Sequence, residues 1–288
     1  MSTFSSIVGL AFALGGFEAE GWLRNALSLP DEGLWPHVWK WVPALSLLGF
    51  VRYVEDEPLS SVGWRSLSAR RFAAETAAGL VVMLGANVVM GPVFERIESA
   101  ETEEGTDEGS GGVEAGIGSF AVFSVPERLF IAFTAGATEE LLFRGYATER
   151  LLSLTGSRFL AGIVPTVVHT WGHLGDTWNR SAVLRIAQPG LLTGALYLRV
   201  RNLPVLVAVH ALNDTIGLLL ADRYTDDGEV KLSIVAYCRS GGRSNAVVSL
   251  TSASSSTDRN AIVARSNPSG PEKPLFAPAW NRWGSSAA

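Results

Sequence analysis

Apolar residues in this chain come in long blocks divided by polar connections, instead of alternating at the short periods of a soluble core. The runs Ser5–Phe17, Trp35–Val51, Thr76–Phe94, Phe159–Leu174, Ala182–Leu198 and Leu203–Ala221 are of this kind. A seventh, Ile131–Leu152 (IAFTAGATEELLFRGYATERLL), begins as an apolar helix but holds Glu139, Glu140 and Arg144 in its interior. No Gly-Pro punctuation ends it before Leu152, and Pro126 suits its first turn. Runs of this texture predict an all-α, multi-pass membrane bundle of about seven spanning helices. Thr76–Phe94 is the clearest span. Trp35, Trp39 and Trp41 sit where interfacial anchors belong. Ser5–Phe17 is short for a span, yet it lacks the basic flank of a cleaved signal peptide and is expected to stay as the first membrane segment.

The polar stretches set the boundaries. Residues 95–118 (ERIESAETEEGTDEGSGGVEAGIG) read as a solvated acidic loop whose spacing fits no calcium loop. Beyond Arg223, segments such as TSASSSTDRN and RSNPSGPEKP predict a disordered tail. The expected organisation is a membrane-embedded helical domain over 1–222 and a polar tail over 223–288. Arg52, Arg65, Arg70 and Arg71 crowd the loop 52–71, whereas 95–118 carries only Arg96, so the former is assigned to the cytoplasm. Counting spans forward places Arg144–Arg158 and Arg199–Arg201 on that same side.

Composition agrees and excludes some classes. The chain is 47% hydrophobic and 18% charged, on the membrane side of average. A net charge of -5 offers no basic surface for nucleic acid. Cys238 stands alone, which excludes an internal disulfide framework and a cysteine metal site.

Charges inside an apolar helix need a reason, because each costs about 2.5–3.5 kcal/mol near mid-bilayer on insertion scales. Glu140 and Arg144 are four apart and share a helical face. Glu139 is turned away by about 100°, so its partner must come from elsewhere in the chain. Of four histidines, His37 lies beside the tryptophans and reads as a surface residue. His169 and His173 in VVHTWGHLGD, and His210 with Asp214 in VAVHALNDTIGLLL, repeat the four-residue spacing. HTWGH is not the zinc-protease HExxH, since no Glu stands within it. Two histidines and a carboxylate from separate helices suit activation of a water molecule, with or without a metal. Proton relay in a transporter is a competing use of such residues, but that reading predicts an internal repeat and none is evident.

These residues resemble the CPBP intramembrane proteases, which include the CAAX-prenyl endopeptidases of the Rce1 type. Glu139-Glu140-Leu-Leu-Phe-Arg144 is similar to the family's EExxxR motif, continued by Gly145-Tyr146. His169-Thr-Trp-Gly-His173 is similar to FxxxH with His169 in the Phe position, and His210-Ala-Leu-Asn-Asp214 to the third motif, His followed four later by Asn or Asp. Pro58–Arg65 resembles the lead-in, and the resemblance covers roughly 50–221. It implies an intramembrane endopeptidase in which Glu139 activates water, His173 assists, and His210 with Asp214 holds the scissile carbonyl. Glu140 belongs to the same catalytic set, with Arg144 neutralising it. His169 either lends an extra ligand or packs beside Trp171; if Asp214 is ionised, it turns to metal binding or Asn213 takes its contact. Zinc is left open, with Glu139, His173 and His210 as its three ligands. The implied partners are the bilayer and a peptide or protein substrate, lipid-modified or membrane-associated, in a prokaryotic cell membrane. A non-catalytic relative acting in bacteriocin immunity or as a membrane scaffold is the alternative.

Overall fold

The computed structural model describes residues 2–103, 113–173 and 180–224, and among these there is no strand. The first helix, α1 (Thr3–Ala26), starts at Ser2, whose hydroxyl accepts from the Ser5 backbone at 3.0 Å. Its buried stripe of Ser6, Gly9, Ala13 and Gly16 is made of small residues. That stripe lets it lie close to its neighbours, as small residues do between membrane helices. A Cβ on Gly16 would stand 3.2 Å from Pro43 Cβ.

The expected span Trp35–Val51 is broken. It forms α2 (Trp35–Trp39) and α3 (Trp41–Gly49), with Lys40 at the joint and a π-helical turn, Phe50–Val54, after them. Pro43 has no N–H to offer the Trp39 carbonyl, which is the bond a continuous helix would need there. His37 is half-buried against Phe120 and Phe123, with ring centroids 6.1 and 6.4 Å away, and so is not the surface residue expected.

Helix α4 (Ala69–Glu103) carries the clearest span, as expected. Within it Ala69–Glu101 is the one helix among the described residues long and apolar enough to cross a membrane by length and composition. Its Val81 and Val89 face outward, 70% and 72% exposed. The other expected spans are helical but shorter or more polar, so the count of seven is not reproduced by that criterion. The acidic stretch also departs from expectation, because α4 continues into it as far as Glu103 and α5 (Val113–Gly118) closes it. Glu101 accepts from the backbone N–H groups of Arg180 (2.5 Å) and Ser181 (3.3 Å) at the start of α9, and Glu98 pairs with Arg185 at 3.0 Å. The helix dipole and unpaired amides make that end a good carboxylate site. The rest of the acidic loop (104–112) and the tail from residue 225 lie outside the described residues.

Helix α6 (Val125–Glu139) begins where Pro126 suggested, with Glu127 accepting from the Ser124 backbone at 2.7 Å. Hydrogen bonds from Arg128 (2.8 and 2.7 Å) hold the Asp222 carboxyl below its ordinary range. The rod continues as a π-helical section, Glu140–Thr148, and then α7 (Glu149–Thr155), ended by Gly156 at φ 67°. Every residue from Thr138 to Leu151 is buried, so this rod is the axis of the molecule. Helices α8 (Arg158–His173), α9 (Arg180–Val200) and α10 (Leu203–Leu219) pack around it. Two glycines set the closeness: a Cβ on Gly136 would lie 2.9 Å from the Ala211 backbone nitrogen, and one on Gly145 2.9 Å from the Val62 carbonyl oxygen.

Candidate active site

The EExxxR motif falls where the central rod changes from α to π geometry. Glu139 closes α6 and Glu140 opens the π-helical section. Short π segments inside α-helices often mark functional sites. Adjacent residues on a helix diverge by about 100°, and the two carboxylates accordingly enter different networks.

Glu139 is only 2% exposed. Its Oε1 accepts from Lys40 Nζ at 2.9 Å, and its Oε2 from His169 Nε2 at 3.1 Å. His173 Nε2 stands 3.8 Å from the same Oε2, too far for a direct hydrogen bond. His173 Nδ1 lies 2.8 Å from the His169 carbonyl, which can only accept, so Nδ1 carries the proton. In the neutral ring, Nε2 is then an acceptor facing a carboxylate. Two acceptors opposed in this way call for a donor or a cation between them. These three residues border a cavity of about 530 Å³ with Lys40, and α1 supplies Leu14, Phe17 and Trp22 to its wall.

Glu140 is fully buried and belongs elsewhere. Its Oε1 lies 3.3 Å from Arg144 Nη1 and 2.8 Å from His210 Nδ1. His210 Nε2 meets Asp214 at 3.2 Å, and Asn213 Nδ2 donates to Asp214 at 3.3 Å. An imidazole between two carboxylates donates to both only as imidazolium. Arg144 Nη2 donates to the Gly190 carbonyl on α9 at 3.1 Å, tying this network to a third helix.

With that geometry in view, residues 121–216 match a family model described as Rce1-like, type II CAAX prenyl endopeptidase Rce1-like. This stretch is similar to that family over about a third of the chain. No curated protein and no solved structure matches the chain. The match is narrower than the 50–221 expected from the motifs and leaves out the Pro58–Arg65 lead-in.

All eight residues singled out from the sequence fall inside the matched stretch, but the structure divides them. It joins Glu139, His169 and His173 around the cavity, and Glu140, Arg144, His210, Asn213 and Asp214 in a separate network. The expected trio of Glu139, His173 and His210 is therefore not the group whose donor atoms converge. Among the described residues that group is Glu139, His169 and His173, with one ligand atom from each, all within 4.8 Å. His169, in the Phe position, is buried and edges onto Phe143 at 5.4 Å while bonding Glu139, so it does more than pack beside Trp171.

Sequence reasoning missed Lys40. It lies outside the matched stretch, 99 positions from Glu139. One signal was available: it is the only lysine before residue 231 and interrupts a Trp-rich apolar run.

Proposed function

We propose that this chain is a membrane-embedded endopeptidase in which Glu139 is the general base. The opposed acceptors Glu139 Oε2 and His173 Nε2 carry the reading, because a water hydrogen-bonded to both satisfies them. Glu139 takes one proton from that water while His173 Nε2 accepts the other hydrogen bond and aims the oxygen. The resulting hydroxide attacks the carbonyl carbon of a peptide lying in the cavity. When the tetrahedral species collapses, Glu139 gives its proton to the departing nitrogen, the C–N bond breaks, and a carboxylate and an amine leave. General-base catalysis of this kind is worth about 10²–10⁴-fold.

His169 holds Glu139 in register, and Arg144 with His210 compensates the charge of Glu140 so that it stays buried. The family description, that of an endopeptidase, supports the reaction class. Long apolar α4, with its outward valines, supports a bilayer location, with the arginine-rich 52–71 segment on the cytoplasmic side. The substrate is a peptide or protein that reaches the site from the membrane.

The donor types of Glu139, His169 and His173 fit a zinc ion, and they are the residues that would hold it. Bound there, zinc would supply Lewis acidity and lower the pKa of a bound water.

The test is cleavage of membrane-derived peptides by the purified chain in lipid nanodiscs prepared in heavy-oxygen water. One heavy oxygen in each new carboxyl, lost in Glu139→Gln, is the expected result. Cleavage that persists in Glu139→Gln contradicts the proposal.

A further inference from the structure

Lys40 is the feature the family resemblance does not account for. It stands at the break between α2 and α3, with helical φ and ψ of -56° and -23°, and delivers its side chain across the bundle. Nζ is 2.9 Å from Glu139 Oε1, and the two side chains are 14% and 3% exposed. The Phe17 ring on α1 covers the ammonium with its centroid 5.5 Å away. A lysine this enclosed is stable only when paired, and its partner is the carboxylate assigned above as the base.

Charge counting gives the pair a role. With both histidines neutral, Glu139 and Lys40 sum to zero. A divalent ion on Glu139, His169 and His173 would bring the site to +2 with Lys40 in place, but to +1 without it. At a separation of a few ångströms in a poorly polarisable setting, that extra repulsion is large. We propose that Lys40 is the resident counter-cation of Glu139: it positions the carboxylate for proton transfer and opposes a divalent metal at the same group. With Lys40 tied to Oε1, water meets Oε2, which also accepts from His169 and faces His173. The positioning half rests on the proteolytic reading. The metal half does not, because it is read without substrate.

The experiment titrates cobalt(II) into the full chain in nanodiscs and follows ligand-field absorption for wild type, Lys40→Met, Lys40→Arg and the double variant Lys40→Met with Glu139→Gln. Lys40→Met is expected to bind about tenfold tighter or more than wild type. Lys40→Arg should bind as weakly as wild type, and the double variant should lose the gain. Equal affinity in wild type and Lys40→Met, or an equal gain in Lys40→Arg, overturns the proposal. So does wild-type protein isolated with a stoichiometric metal on Glu139. With a cleavable peptide in hand, Lys40→Met should lower kcat by about tenfold or more while KM changes little, and Lys40→Arg should recover part of kcat. A Lys40→Met variant with wild-type kcat overturns the positioning half. If wild type cleaves nothing, the cobalt titration still decides the metal half.

Discussion

Glu139 and Glu140 are neighbours in sequence but bind different histidines, His169 at 3.1 Å and His210 at 2.8 Å. One carboxylate borders a cavity, and the other is fully buried with a guanidinium and an imidazole. The division follows from helix geometry, and the proposed reaction uses the first residue as base and the second as a buried, charge-compensated group.

The buried network should be felt in stability. Arg144 and Glu140 side chains are 1% and 0% exposed. Arg144→Met leaves the carboxylate without its guanidinium and should cost about 3–5 kcal/mol, as removal of one partner from a buried pair does. Thermal unfolding in detergent should show a clear drop in midpoint, whereas an unchanged midpoint would mean the pair is not needed for folding.

His169→Phe installs the residue usual at that motif position. It keeps an aromatic ring against Phe143 but removes the donor to Glu139. Folding should survive, and turnover should fall by about ten- to a hundredfold because the base loses its orienting contact. Single-turnover kinetics on a cleaved peptide would check it.

Gly9 is required by Tyr146. A Cβ there would collide with the Tyr146 hydroxyl and stand 2.8 Å from Phe50 Cε1. That hydroxyl donates to the buried Glu55 carboxylate at 2.7 Å, which also pairs with Arg150 at 2.5 Å. Gly9→Ala should therefore destabilise by about 1–3 kcal/mol through overpacking, measured as a lowered unfolding midpoint.

Glu101 anchors the acidic end of α4 to the start of α9 through two backbone N–H groups. Glu101→Ala should cost about 1–2 kcal/mol, in the range of a lost helix cap. Faster amide exchange at Arg180 and Ser181 would localise the effect.

What could be read from the sequence was what lies within one helical turn. The Glu140–Arg144 and His210–Asp214 pairs form as their spacing indicated, at 3.3 and 3.2 Å, and Pro126 opens its helix. Spacing also showed that Glu139 needed an outside partner. It could not identify Lys40, and it left His169 between extra ligand and packing residue, because those contacts depend on how α1, α3 and α8 pack. The same limit explains the pairing of His210 with Glu140. The acidic stretch departs for a different reason: charge density favours solvent, whereas the amides of Arg180 and Ser181 on α9 give Glu101 a binding place inside the fold.

The most direct measurement compares Glu139→Gln with Glu140→Gln for peptide hydrolysis and thermal unfolding in the same nanodiscs. Per folded molecule, Glu139→Gln should lose turnover by about a hundredfold or more, while Glu140→Gln should lower the midpoint and keep more of its turnover. Turnover that survives in Glu139→Gln would contradict the assignment of the base.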